Sequence, residues 1–140
     1  MGMYTELLLK CGIVPNLNTN VKDVLEFLFN RGKEPNTLPK HEFFTLSRWT
    51  LIGRCSSCYH IPSPVNYYNE NVLFSRSDIK NYEDEIDLFL DWVNPYIDEL
   101  DEKCIGWIWY EENDSPELIY KQETKSFHAR LCLIEERRTK

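Results

Sequence analysis

The stretch Asn81-Tyr82-Glu83-Asp84-Glu85-Ile86-Asp87-Leu88-Phe89-Leu90-Asp91-Trp92-Val93-Asn94-Pro95-Tyr96-Ile97 decides how the chain is read. Within it Tyr82, Ile86, Phe89, Leu90, Val93 and Ile97 recur at helical spacing, so one stripe of a helix is apolar and faces a core. Asn81 stands where a capping side chain belongs, with Asp84 three residues on. Asn94-Pro95 kinks or ends the helix, because proline has no N–H to donate, and Tyr96 to Leu100 then form a further turn.

Downstream, Cys104 to Tyr110 predicts a strand with Ile105, Trp107 and Trp109 on one face. Asn113-Asp114-Ser115-Pro116 is a turn, Glu117 to Gln122 the returning strand, and Phe127, Ala129, Leu131 and Leu133 alternate in a last one. Upstream, Tyr4 to Val14 predicts a first strand ending at Pro15. Asn20 can cap a second helix carrying Val21, Val24, Leu25 and Leu28, with Gly32 at its left-handed C-terminal position. Lys33 to His41, with Pro35 and Pro39, is an extended loop. Phe43–Leu46 and Trp49–Ile52 read as strands, and Val65–Tyr68 with Val72–Phe74 as a hairpin around Asn69-Glu70-Asn71. The order implies an α+β fold: a mainly antiparallel sheet with two helices on one face, ferredoxin-like or related.

At 140 residues the chain is expected to be one domain, spanning residues 3–134, with a basic tail at 135–140. Met1-Gly2 reads as an addition before Met3 and is set aside. With 42% hydrophobic and 28% charged residues the composition is that of a folding sequence, and 14% aromatic residues supply large contact areas. No apolar run approaches the ~18 residues of a membrane span, and a secretory n-region is missing, so a cytoplasmic protein without membrane partners is expected. Cys11, Cys55, Cys58, Cys104 and Cys132 are odd in number and lack framework spacing, so reduced thiols are expected.

Charge is unevenly distributed. Between Glu83 and Glu117 stand thirteen carboxylates and the single base Lys103, while the rest of the chain carries ten acids and fifteen bases. The net charge of −7 thus hides a polarised molecule. Glu83, Asp84 and Glu85 fall in the first helical turn, where the helix dipole favours a carboxylate by about 0.3–1 kcal/mol, so they need no other explanation. Asp98, Glu99, Asp101 and Glu102 fall at the opposite end, where the dipole opposes them and their mutual repulsion is expected to go unrelieved. With Glu111, Glu112, Asp114 and Glu117 they form the expected partner-binding set, suited to a basic protein surface. A solvated helix face is the alternative for any charge run. A Ca²⁺ loop is a third reading, and the missing alternating spacing and central glycine count against it.

Three other constellations remain. Cys55, Cys58 and His60 are weak metal candidates: a lone C-x-x-C with one imidazole lacks the fourth ligand of a structural zinc site, so no metal or other cofactor is expected. His41, His60 and His128 lie in no catalytic motif, and no catalytic residue or enzyme activity is expected. Arg48, Arg54 and Arg76 with Tyr59, Tyr67 and Tyr68 resemble a stacking and phosphate-binding surface for a nucleotide, although overall acidity argues against direct binding of long nucleic acid.

The run Arg76-Ser77-Asp78-Ile79-Lys80-Asn81-Tyr82-Glu83-Asp84-Glu85-Ile86, continued by Phe89-Leu90-Asp91-Trp92 and Pro95-Tyr96-Ile97, resembles segments of small acidic proteins encoded by phages and prophages. Tyr4-Thr5-Glu6-Leu7, Cys55-Ser56-Ser57-Cys58-Tyr59 and Tyr110-Glu111-Glu112 through Pro116-Glu117-Leu118-Ile119-Tyr120 are similar to them as well, covering most of the chain up to Tyr120. Cys58 departs from the Ser-Ser-Tyr-Tyr pattern of the resembled segment, which counts against a metal there. The resemblance implies, by class analogy, an anti-defence protein of the anti-CRISPR kind that blocks the nucleic-acid-binding site of a host effector or nuclease. An immunity protein neutralising a cationic toxin would use the same acidic surface. A nucleotide-sequestering module would use the arginines and tyrosines instead.

Overall fold

The computed structural model describes residues 4–54 and 65–123. Strand β1 (Thr5–Gly12) leads to helix α1 (Thr19–Asn30), the hairpin β2 (Val65–Asn69) and β3 (Val72–Ile79), helix α2 (Glu85–Val93), and a second hairpin, β4 (Cys104–Tyr110) and β5 (Glu117–Tyr120). The strands form one antiparallel sheet in the order β2-β3-β1-β4-β5. Strands β1 and β2 therefore run parallel with β3 between them, and β3 and β4 run parallel with β1 between them. Two interleaved β-α-β units of this kind are the ferredoxin-like arrangement, here widened by β5.

Alternation along β1 sets the layers. Leu7, Leu9 and Cys11 are buried while Lys10 is exposed, so every second side chain enters one core. Val21, Val24, Leu25 and Leu28 of α1 and Ile86, Phe89, Leu90 and Val93 of α2 belong to that core, and the Phe29 and Phe89 rings meet edge-on at 5.8 Å. Both helices thus cover the same face of the sheet, as the periodicities require, and the α+β expectation holds. Among the described residues no helix is long and apolar enough to cross a membrane.

Several local expectations change. Phe43–Leu46 and Trp49–Ile52 do not form strands; Glu42–Thr45 and Trp49–Leu51 are single 3₁₀ turns. Short apolar runs without alternation suit either state, and here packing decides. Phe43 is wholly buried and its ring meets those of Phe44, Trp49, Phe89 and Trp92, an aromatic plug under α2 that a strand could not deliver. Helix α2 begins only at Glu85, after Asp84 in the left-handed conformation at φ 59°. Asn81 still caps it, its Oδ1 accepting the Ile86 N–H at 3.0 Å. Tyr82, placed on the apolar stripe by spacing, precedes the helix and is 63% exposed. Asn94–Tyr96 forms a 3₁₀ turn and Ile97 bridges to Ile13, so the helix stops where proline predicts. In α1 the left-handed terminal residue is Arg31, at φ 55°, rather than Gly32.

Strand β4 carries the remaining correction. A bulge between Cys104 and Gly106 shifts the register, so Ile105 turns into the core while Trp107 lies opposite Leu8 and Leu118 on the other face. Gly106 permits the close approach there, since a Cβ on it would sit 1.8 Å from the Leu8 carbonyl oxygen. The strand expected over residues 127–133 and the basic tail at 135–140 lie outside the described residues.

Candidate functional site

The strand register divides the acidic stretch into two groups at opposite ends of the sheet. Tyr110 and Ile79 flank Thr5 at one end, so Glu83, Asp84, the first turn of α2 and the β4–β5 turn with Glu111, Glu112 and Asp114 share that end. Asp98, Glu99, Asp101 and Glu102 lie beside Gly12 at the other. The seven residues of β4 separate the groups by about 20 Å, so the expected partner set does not form one patch.

The group beside Gly12 is knitted into the backbone. It follows a 3₁₀ turn and not the α2 terminus, so the helix dipole that was to oppose it acts elsewhere. The Glu99 carboxylate accepts the Gly12 N–H at 2.6 Å and the Lys103 ammonium at 2.8 Å, four residues on. Those bonds, Lys103 first and Gly12 second, hold its pKa below the usual value. Asp98 N–H donates to the Gly12 carbonyl and Glu102 N–H to that of Lys121, and Glu102 itself takes φ 69°. The repulsion expected among these carboxylates is relieved for Glu99, which has a structural role, while the Asp98, Asp101 and Glu102 side chains are exposed.

The other end is electrostatically loaded. Asp87, one turn into α2, is pushed up to about 6 by burial and by the charges of Asp84 and Glu117. Glu117 opens β5, so the cluster draws on the α2 entry, its first turn and the edge strand. Asp84, at the helix entry, and Glu117, on the edge strand, each add repulsion to the half-buried Asp87. Glu85 behaves differently: fully buried, its Oε2 accepts the Glu83 N–H and its Oε1 lies 3.9 Å from Arg48. It serves the fold.

The arginine–tyrosine set is not brought together. Arg48 stacks over Tyr82 at 5.2 Å and Arg54 over Phe27 at 5.8 Å, both on the helix side. Arg76 lies on the opposite face, its Nε donating to Glu6 at 2.8 Å, and Tyr67 is exposed on that face, its hydroxyl accepting from Asn69. Tyr68 points into the core, and its hydroxyl pKa is raised by burial and by Glu26 and Glu70. Cys55, Cys58, Tyr59 and His60 lie outside the described residues, and among the described residues no group of three or more His, Cys, Asp or Glu could hold a metal.

One pairing escaped sequence reading. His41 Nδ1 accepts the Phe43 N–H at 3.0 Å, which puts its proton on Nε2, 2.7 Å from Asp91 Oδ2. With both ring nitrogens engaged, this His–Asp pair fastens the loop before the aromatic plug to α2 and has no nitrogen left to act as a base. Fifty residues separate the partners and neither lies in a motif. Comparison with protein-family models, curated proteins and solved structures finds no match for this chain.

Proposed function

We propose that this protein is a non-enzymatic inhibitor of the phage anti-defence kind, which sets its acidic end against the basic, nucleic-acid-binding surface of a host effector. The observation that supports this reading most is that Asp87, half-buried in α2, also bears the charges of Asp84 at the helix entry and Glu117 on the edge strand. Such an arrangement costs folding free energy in the isolated protein and is relieved when Lys or Arg side chains of a partner approach. Glu112 and Asp114, exposed on the adjoining turn, extend the same field. Inhibition then needs no turnover: the acidic end competes with phosphates for the effector's cations.

The test is a mobility-shift assay in which purified nucleases and CRISPR effectors bind their nucleic acid in the presence of the protein. Competition by the wild type, lost in Asp84→Lys/Glu117→Lys but retained in Asp98→Lys/Asp101→Lys, is the expected result. Competition by no effector in the panel, or equal behaviour of the two double variants, would overturn the reading.

A further inference from the structure

Among the described residues, the face of the sheet away from the helices is apolar and nothing covers it. Val65, Tyr67, Val72, Leu118 and Tyr120, each at least 38% exposed, all lie on it by strand register. Single exposed apolar side chains are ordinary, but a face collecting this many marks a binding site. Between β1, β3, β4 and β5 it deepens into a cleft of about 590 Å³, walled by Leu8, Val72, Trp107 and Leu118 and floored by the Cys104–Gly106 bulge. That volume lies within the range of small-ligand sites. Trp107 is fixed in place, since its Nε1 donates to Glu6 Oε2 at 2.7 Å and Glu6 is in turn held by Arg76.

Charge at the rim selects the ligand. Lys10, Glu99 and Lys103 line the cleft, but Glu99 and Lys103 neutralise each other. Lys10 is exposed and has no ion-pair partner among the described residues, so the rim offers one uncompensated cation. We infer that the cleft binds a small amphipathic organic anion, its apolar body against Leu8, Trp107 and Leu118 and its acid group at Lys10. This inference is independent of the acidic end and stands or falls separately.

A matched pair of probes tests it: 1-anilinonaphthalene-8-sulfonate and N-phenyl-1-naphthylamine, the same rings without the sulfonate. Fluorescence titration of wild type, Lys10→Gln and Leu118→Gln, each shown folded by near-ultraviolet circular dichroism, should find both probes bound by the wild type. Leu118→Gln should weaken both by about fivefold through lost apolar contact. Lys10→Gln should weaken the sulfonate by roughly threefold and leave the amine unchanged. Bound sulfonate should also slow alkylation of Cys104, which is exposed and lines the cleft, as read by peptide mass spectrometry. Failure of the folded protein to bind either probe, or Lys10→Gln affecting both probes alike or neither, would overturn the inference. A dimer in sedimentation that Leu118→Gln dissociates would overturn it too, by assigning the face to a second copy.

Discussion

The two ends of the sheet both gather carboxylates and use them in opposite ways. Beside Gly12, Glu99 closes a network of a backbone N–H and a lysine, and its carboxylate is more acidic than usual. At the entry of α2, Asp87 is held partly out of water beside two further carboxylates and is less acidic than usual. The same side-chain chemistry stabilises one end and strains the other, because what matters is which groups the fold brings within reach. An end held together by its acids has little to offer a cationic partner. An end pushed apart by them has much.

The contrast can be broken first at Gly12. A Cβ there would lie 2.8 Å from the Asp98 carbonyl oxygen, so Gly12→Ala should force the two segments apart and cost about 3 kcal/mol in urea unfolding. Glu99→Gln keeps the shape but removes the charge from both hydrogen bonds; a loss of about 1.5 kcal/mol is expected at pH 7. Since the pKa of Glu99 is lowered in the folded state, that contribution is present above its ordinary value and disappears as the pH falls through the lower, folded one.

At the opposite end the sign inverts. The pKa of Asp87 rises from 3.8 to about 6 on folding, so its ionisation opposes folding. Stability is full below pH 4, where the group is protonated in both states, and declines as the pH rises through about 6. Asp87→Asn should therefore raise stability at pH 7 by about 1 kcal/mol after allowance for solvent screening, and the gain should vanish below pH 4. A uniform gain across the pH range would show that desolvated shape, and not charge, is responsible. Asp101→Asn, at an exposed position, should change stability by less than about 0.5 kcal/mol in the same denaturation series.

What could be read from the sequence follows from the range of the forces involved. The α2 stripe, the α1 stripe and the Val65–Phe74 hairpin were legible because periodicity and turn chemistry are local, and two amphipathic helices with a sheet have few ways to bury their faces. Phe43 and Trp49 were misread because an aromatic-rich run of four residues satisfies a strand and a plug equally, and only the rings of Phe89 and Trp92 decide. The acidic stretch was visible as composition, but its division was not. Glu99 and Lys103 are four residues apart and could have been paired on spacing alone. Asp87 and Glu117 meet only because the β4–β5 hairpin returns beside the α2 entry, a long-range consequence of strand order. The apolar cleft was hidden for a related reason: spacing puts Ile105, Trp107 and Trp109 on one face, and only the bulge at Cys104–Gly106 separates the buried Ile105 from Trp107 on the other.

The most direct measurement is the titration of Asp87 by side-chain carbonyl NMR in the wild type and in Glu117→Gln. A midpoint near pH 6 that falls when Glu117 is neutralised is the predicted result. A midpoint near pH 4 in both proteins would contradict the loaded acidic end and, with it, the surface on which the proposed function rests.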